Sequence, residues 1–225
     1  FLWYPKNTER CKNCRQTSQK KIDYITDHSK NANSNTLLVI DKKKNFKKNY
    51  LKEAISEGLN TIITNSHIKG QSITQVIIKD LDKGVLKLIK LRQPYNPKKS
   101  IAITGTNGKT STSWYLAQIC KADNKTTKLT GTLGHFKNLK KINDSPLTTP
   151  SNLDLYQFSY SNKKNNDIFI SEASSHGLDQ GRFNGLNIDI AAITNLTQDH
   201  LDYHKSFINY RKSKFLLFTK ILNTS

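Results

Sequence analysis

Between Ile22 and Leu91 short apolar runs alternate with stretches of helical spacing, the pattern of an α/β fold. Leu37-Leu38-Val39-Ile40 reads as a buried strand, and the polar residues from Asp41 to Asn49 as a loop. Tyr50, Leu51, Ala54, Ile55 and Leu59 recur at helical spacing, with Gly58 placed to end that helix. Thr61-Ile62-Ile63-Thr64 and Ile73 to Ile78 are the next strands, and Val85, Leu86, Leu88, Ile89 and Leu91 mark a second helix. The segment Gln93-Pro94-Tyr95-Asn96-Pro97-Lys98-Lys99 carries two prolines among polar residues, which predicts a linker. The expected division is a small α/β domain over residues 1–97 and a second unit over 98–225.

The second unit opens with a short buried-type strand, Ile101-Ala102-Ile103-Thr104, running straight into Gly105-Thr106-Asn107-Gly108-Lys109-Thr110. A helix is predicted next, its core face using Trp114, Leu116, Ala117 and either Ile119 or Cys120. Two further strands are marked by Asp167-Ile168-Phe169-Ile170 and by Ile188 to Ile193, and their ends carry Glu172 and Asn195. The pattern as a whole predicts a mostly parallel sheet.

Composition changes this picture little. Lys+Arg number 36 against 17 Asp+Glu, a formal charge of +19, which by itself suggests an anionic partner. Yet the basic residues are 31 Lys and only 5 Arg, spread through every segment beside 23 Asn. Base readout and bidentate phosphate clamps favour Arg, so no nucleic-acid role is expected. Three cysteines cannot build a disulfide framework, and Cys11-Lys12-Asn13-Cys14 is half of a zinc site with no second pair. No apolar run approaches the roughly 20 residues that span a bilayer, and Phe1 to Lys6 is too short for a secretory segment, so a cytoplasmic location without membrane insertion is expected. There is no Met, even at position 1, and the chain stops just after an apolar helical pattern. A piece of a longer protein is expected.

The chemistry concentrates after the linker. A strand, a glycine turn and a helix that begins with Lys-Thr present backbone N–H groups and a helix N-terminus to phosphate. Lys109 would reach the outer phosphates of ATP, Thr110 would offer its hydroxyl to Mg²⁺, and Gly105 and Gly108 would let the backbone approach closely. The loop is the short form G-x-x-G-K-T; the plain alternative is an ordinary strand-to-helix turn. Because open parallel sheets bind ligands at the carboxyl ends of their strands, Thr104, Glu172 and Asn195 should share one rim. A carboxylate there can complete the coordination of Mg²⁺, which prefers hard oxygen ligands; otherwise Glu172 is a surface acid. Lys214 falls inside an apolar stripe of Phe207, Tyr210, Leu217 or Phe218, and Ile221. Burial favours its neutral amine, which can add carbon dioxide to give a carbamate, unless the side chain snorkels to water.

Four strings in order, Thr104 to Thr110, Leu147-Thr148-Thr149-Pro150, Glu172-Ala-Ser-Ser-His-Gly-Leu-Asp-Gln-Gly-Arg182 and Thr194-Asn-Leu-Thr-Gln-Asp-His-Leu-Asp-Tyr-His204, resemble the Mur ligases. The likeness is strongest to the branch that adds a diamino acid. The phosphate loop alone fits any Mur ligase or a folylpolyglutamate synthase; the strings from Glu172 and from Asp199 are more selective. The resemblance covers residues 101 to 218 closely and the first domain more loosely. It implies that Gly105, Thr106, Asn107, Gly108, Lys109, Thr110 and Ser111 bind ATP, and that Thr110, Glu172 and His200 hold two magnesium ions with Glu172 shared. It also implies that Lys214 is carbamylated to N6-carboxylysine, as the Tyr210-x-x-x-Lys214 spacing of the family suggests. His204 is left open.

The same resemblance makes the first domain a uridine-nucleotide-binding domain, with Asp27-His28-Ser29-Lys30 where the family has Asp-Ser-Arg, so that Ser29 carries over. Thr148, Thr149, Ser174, Gln180 and Arg182 would hold UDP-N-acetylmuramoyl-L-alanyl-D-glutamate. The implied enzyme is an ATP-dependent amide ligase of peptidoglycan synthesis, acting as a monomer. It would phosphorylate the D-glutamyl carboxylate and pass the acyl group to meso-diaminopimelate or L-lysine, with Lys109, Glu172, His200 and Lys214 as the catalytic set. The family's third domain, which selects the amino acid, is not in this sequence, so the piece alone is expected to be inactive. A P-loop kinase, a nucleotide-dependent binding module and a basic nucleic-acid binder are the competing readings.

Overall fold

The computed structural model describes residues 22–42, 47–92, 96–161 and 167–223. Cys11 and Cys14, and residues 93–95 of the expected linker, lie outside them. The chain forms two compact units, Phe1–Lys79 and Asp80–Ser225.

In the first unit β1 (Tyr24–Thr26), β2 (Thr36–Ile40), β3 (Thr61–Thr64) and β4 (Thr74–Ile77) form a parallel sheet in that order. Helix α1 (Lys48–Ser56) buries Leu51 and Ala54 against Leu38, Ile40, Leu59 and Ile62, and Gly58 turns the chain out of it with φ of 96°. Strand β2 ends in a continuous apolar run, Leu37 to Ile40, and β3 buries Ile62 and Ile63 side by side, as in a parallel sheet covered on both faces. A 3₁₀ turn, Ser29–Asn31, follows β1 and carries Ser29.

The second unit begins with α2 (Leu81–Arg92), followed by β5 (Lys99–Thr104), α3 (Lys109–Ala122), β6 (Thr126–Gly131), β7 (Gly134–Lys137) and β8 (Lys140–Asn143). Then come α4 (Asn152–Tyr160), β9 (Asp167–Glu172), α5 (Ser175–Asp179), β10 (Ile190–Ile193), α6 (Leu201–His204) and α7 (Phe207–Leu216), the last passing into a wider π turn over Leu217–Ile221. The sheet order is β10-β5-β9-β6-β7-β8; the first four strands are parallel, and β7 and β8 form an antiparallel extension. Ile101, Ile103, Ala117, Leu129, Phe136 and Ile170 make its core, with Trp114 packed edge-on to Phe136 at 5.1 Å. On α3 Cys120, three residues after Ala117, faces the core, while Ile119 points to solvent at 65% exposure. Among the described residues no helix is long and apolar enough to cross a membrane.

Two expectations change. The units divide between Lys79 and Asp80 rather than at residue 98, because α2 packs against α4 of the second unit, where the Lys90 ammonium lies 5.1 Å from the Tyr160 ring centre. The stripe around Lys214 is also different. Phe207 is exposed, and the inward residues of α7 are Tyr210, Ser213 and Lys214, followed by Leu217.

Candidate active site

Parallel pairing fixes where the chemistry gathers. Ile193 is level with Thr104, and Ile103 with Glu172, so β10, β5 and β9 deliver their last residues to one rim of the sheet. Gly105 leaves β5 with φ of 143°, and a Cβ there would overlap Thr194 Oγ1, so glycine alone fits. Thr194 and Asn195, just past β10, hold the loop. The Thr194 hydroxyl donates to Asn107 O at 2.6 Å, Thr106 N–H donates to Asn195 O at 3.1 Å, and Asn107 N–H donates to Asn195 Oδ1 at 3.0 Å. Gly108, left-handed at φ 81°, starts α3 without a side-chain cap, leaving first-turn N–H groups for an anion; Ser111 is exposed one turn on. The Lys109 ammonium folds back and donates to the carbonyls of Gly105 and Thr106, both at 2.9 Å. Burial draws its pKa below the usual lysine value, while the charges of Glu172 and Asp199 oppose the shift.

Glu172 is almost fully buried, and its carboxylate is enclosed by donors. Thr110 Oγ donates to Oε2 at 2.9 Å, Thr132 N–H to Oε1 at 3.0 Å, and Thr132 Oγ lies 3.1 Å from Oε2. The space exists because residue 131 is glycine; a Cβ there would overlap the carboxylate. Thr110 Oγ and Glu172 Oε2 are a hard-oxygen pair on the phosphate side of the loop, a donor set that suits Mg²⁺.

The expected substrate contacts lie along the same rim. The Thr149 hydroxyl donates to Glu172 O at 2.9 Å and is 3.0 Å from Ser174 Oγ, which caps α5 by accepting from Gly177 N–H. Arg182 donates to Thr149 O at 2.5 Å and twice to Gln180 Oε1, at 3.1 and 2.6 Å. Thr148 Oγ sits 3.1 Å from Thr132 Oγ. Ser151 caps α4 by accepting from Asp154 N–H, so the Thr-Thr-Pro-Ser string serves both as a helix start and as part of the rim. Ser29 belongs to the other unit, where its carbonyl accepts from Ala32 N–H.

Lys214 is 1% exposed, and its ammonium donates to Gly105 O at 2.6 Å while lying 4.6 Å from the Tyr210 ring centre. Desolvation first, and then the charge of Lys109, pushes its pKa down to about 8. Tyr210 fixes the helix to the loop. Thr106 Oγ already donates to Thr197 O and accepts Thr197 N–H, so the Tyr210 hydroxyl, 2.8 Å away, donates to it.

His200 stands apart from the carboxylate. Its left-handed backbone, φ 51°, directs Nε2 to within 3.5 Å of Asp199 Oδ2, and its ring packs 4.8 Å from His176 and 6.4 Å from Tyr210. Its polar contacts run to Asp199 and not to Thr110 or Glu172. His204 joins the same cluster, 5.4 Å from His176, and is buried with Nε2 unpartnered. Sequence reasoning missed Thr132, Thr194, Thr197 and His176. A glycine-threonine pair at the end of a strand was the available signal for Thr132, but the strand itself was not visible.

Residues 103–225 match the Mur ligase middle domain. The chain is 35% identical over 206 residues to the UDP-N-acetylmuramoyl-L-alanyl-D-glutamate--2,6-diaminopimelate ligase of Rickettsia rickettsii, covering 89% of this chain and 43% of that protein. It is 37% identical over 182 residues to the Bacillus cereus protein of the same name, covering 78% of this chain and 36% of the relative. A solved structure of a ligase with that name superposes with a TM-score of 0.69 at 26% identity, over 90% of this chain and 42% of that one. The chain thus spans less than half the length of these relatives. With the glycine loop, the enclosed glutamate and the buried lysine on one sheet rim, and the domain match over 103–225, the chain belongs to the Mur ligase family.

Proposed function

We propose that this chain supplies the nucleotide-binding and acyl-activating part of an ATP-dependent ligase. Its reaction joins meso-diaminopimelate or L-lysine to UDP-N-acetylmuramoyl-L-alanyl-D-glutamate in peptidoglycan synthesis. The observation that carries the reading is the convergence of Lys109 and Lys214 on the single carbonyl of Gly105, beside Glu172 and Thr110. The Lys109 ammonium supplies positive charge where a triphosphate would lie, and the Lys214 amine beside it lies where its carbamate would face the metal site.

A carboxylate resists attack because its charge repels nucleophiles and oxide is a poor leaving group. Transfer of the γ-phosphoryl group of ATP to the D-glutamyl carboxylate removes both obstacles. The amine of the diamino acid then attacks the acyl phosphate, and the tetrahedral intermediate expels phosphate. The loop N–H groups and Lys109 hold and neutralise the phosphates, chiefly through positioning and electrostatics. Thr110 and Glu172 are the residues that would hold Mg²⁺, and His200 beside Asp199 is the proposed ligand of a second ion. Bound there, the metal supplies charge neutralisation on the transferred group. Arg182, Gln180, Ser174, Thr149 and Thr148 present donors for diphosphate and carboxylate oxygens, and Ser29 would contribute from the uridine-binding unit. Lys214, whose neutral amine burial favours by lowering its pKa to about 8, is suited to add carbon dioxide: its nitrogen lone pair bonds to carbon, a proton leaves, and the carbamate presents an anion near the metal site.

The full-length gene product should release ADP and phosphate only when muramoyl dipeptide substrate and a diamino acid are both present. Lys109→Ala should lower that rate by roughly a hundredfold or more. Normal turnover by this variant, or ATP hydrolysis paired with a hydroxyl acceptor, would remove the reading.

A further inference from the structure

Of the N–H groups on the Arg182 guanidinium, one donates to Thr149 O at 2.5 Å, and Nε and Nη2 both donate to Gln180 Oε1, at 3.1 and 2.6 Å. An arginine has further N–H groups beyond these, and they are left for an anionic ligand. The Gln180 amide can receive both bonds on its oxygen only if its NH₂ group faces the other way. There it meets Tyr203: Gln180 Nε2 donates to the tyrosine hydroxyl oxygen at 3.4 Å. The hydroxyl spends its own proton on Asp179 Oδ2, 3.0 Å away, because a carboxylate oxygen accepts. Every donor in this chain therefore points the same way, from Arg182 through Gln180 and Tyr203 to Asp179, an order in which each bond polarises the next.

Packing alone does not hold these groups, since Asp179 and Gln180 are exposed and Arg182 is half-buried. The backbone brings the last two together: α5 ends at Asp179, Gly181 turns the chain with φ of 68°, and Arg182 N–H returns to Gly177 O at 2.9 Å. Tyr203 comes from a different part of the chain and is itself fixed. Its ring packs 4.2 Å from His176 and 4.7 Å from His204, and its N–H donates to His200 O at 3.2 Å. We infer that Tyr203 is a positioning residue of the substrate site: by accepting from the Gln180 NH₂ group it fixes which end of that amide faces Arg182, and so holds the guanidinium ready for an anionic oxygen of the muramoyl peptide. The reversed amide would set an NH₂ group against a cation and release Arg182. A guanidinium already held in place loses less freedom when its ligand arrives, so the effect falls on affinity for that ligand and not on the chemical step. The Asp199–His204 string then has two duties, His200 toward the second cation and Tyr203 toward the substrate.

The inference rests on the proposed ligase reading, and steady-state kinetics on the full-length gene product separate the two. Tyr203→Phe deletes the hydroxyl and keeps the ring that packs on His176. It should raise the KM for UDP-N-acetylmuramoyl-L-alanyl-D-glutamate by about three- to fivefold, with kcat and the KM for ATP near their wild-type values. Gln180→Ala should raise the same KM, and in that background Tyr203→Phe should add nothing, because the group it acts through is gone. A Tyr203→Phe enzyme with wild-type KM for the muramoyl peptide, or one whose effect is as large without the Gln180 amide as with it, overturns the inference and leaves the ligase reading standing. A loss spread equally over kcat and both KM values does the same, since it marks a merely structural tyrosine. Failure of the wild type to ligate with all substrates supplied would overturn both.

Discussion

Two buried lysines show how the same shift in proton affinity serves different ends. Lys128 and Lys214 are each lowered to about 8, with desolvation as the leading cause. Lys128 has its acceptors in place: it donates to Phe158 O at 3.0 Å and to Ser161 Oγ at 2.7 Å, closing the carboxyl end of α4, where a cation is favoured. Lys214 has Gly105 O alone and faces the like charge of Lys109. Its folded pKa lies below that of the unfolded chain, so the unfolded state binds more protons from about pH 8 up to the ordinary lysine range. Stability therefore rises with pH across that window, and the full cost of burying the ammonium is present below it. Replacing Lys214 by Met should stabilise the protein by on the order of 2 kcal/mol at pH 7 in carbon dioxide-free buffer, with the gain vanishing near pH 10 in urea unfolding. Lys128→Met should instead destabilise, because it removes the two hydrogen bonds to Phe158 O and Ser161 Oγ that tie β6 to the end of α4. Activity should fall in carbon dioxide-free buffer, and Lys214→Ala should be rescued by small carboxylates. An active Lys214→Ala enzyme that ignores both would exclude the carbamate.

At the level of elements, legibility tracked apolar content. The strand at Thr61–Thr64, α1 and the strand before the phosphate loop showed in the pattern because their inward residues include Ile and Leu, and Thr74–Ile77 showed through Val76 and Ile77 although both are exposed. Strand β6 did not. Thr126-Thr-Lys-Leu-Thr-Gly131 has one aliphatic residue, and it enters the core because the side chains of Thr126, Lys128 and Thr130 find local partners, Thr126 bonding to Asp167 and Thr130 to His135, while the Thr127 hydroxyl is buried without one among the described residues. The carboxylate cradle, built at the end of that strand, was hidden with it. The residues of the phosphate loop and Glu172 were legible because a short motif placed them at strand ends. Their enclosure by Thr132, Thr194 and Thr197 depends on sheet order, which periodicity does not encode. Gly131 tests the cradle. An alanine there must displace either the strand or the Glu172 carboxylate, at a stability cost of about 1–3 kcal/mol. Gly131→Ala should reduce the affinity for ADP in the presence of Mg²⁺ while leaving metal-free ADP binding near the wild-type value. Equal losses in both conditions would mean that the substitution harms the phosphate loop and not the cation site.

For the molecule as a whole, the two prolines near residue 95 marked a break in the pattern but not the edge of a compact unit, which falls between Lys79 and Asp80. Leu81, Val85, Leu86 and Ile89 are buried on α2, and that helix packs on α4, which begins at the substrate side of the rim. Each such side chain contributes roughly 1.5–3 kcal/mol by leaving water, so the helix carries an amount comparable to the roughly 5–15 kcal/mol net stability of a typical domain. The consequence can be read from amino-terminal shortening of the full-length gene product. A protein beginning at Asp80 should keep one cooperative thermal transition for its phosphate-loop unit and bind ADP with Mg²⁺. One beginning at Lys98 should unfold at a temperature lower by ten degrees or more, on the scale of about 2–4 °C per kcal/mol, and should expose apolar surface to a hydrophobic dye. Equal stability of the two would move the boundary back to the prolines and make α2 a tether. The opposite result would make the linker part of the scaffold that holds Thr148 and Thr149, since α4 starts three residues after Thr149.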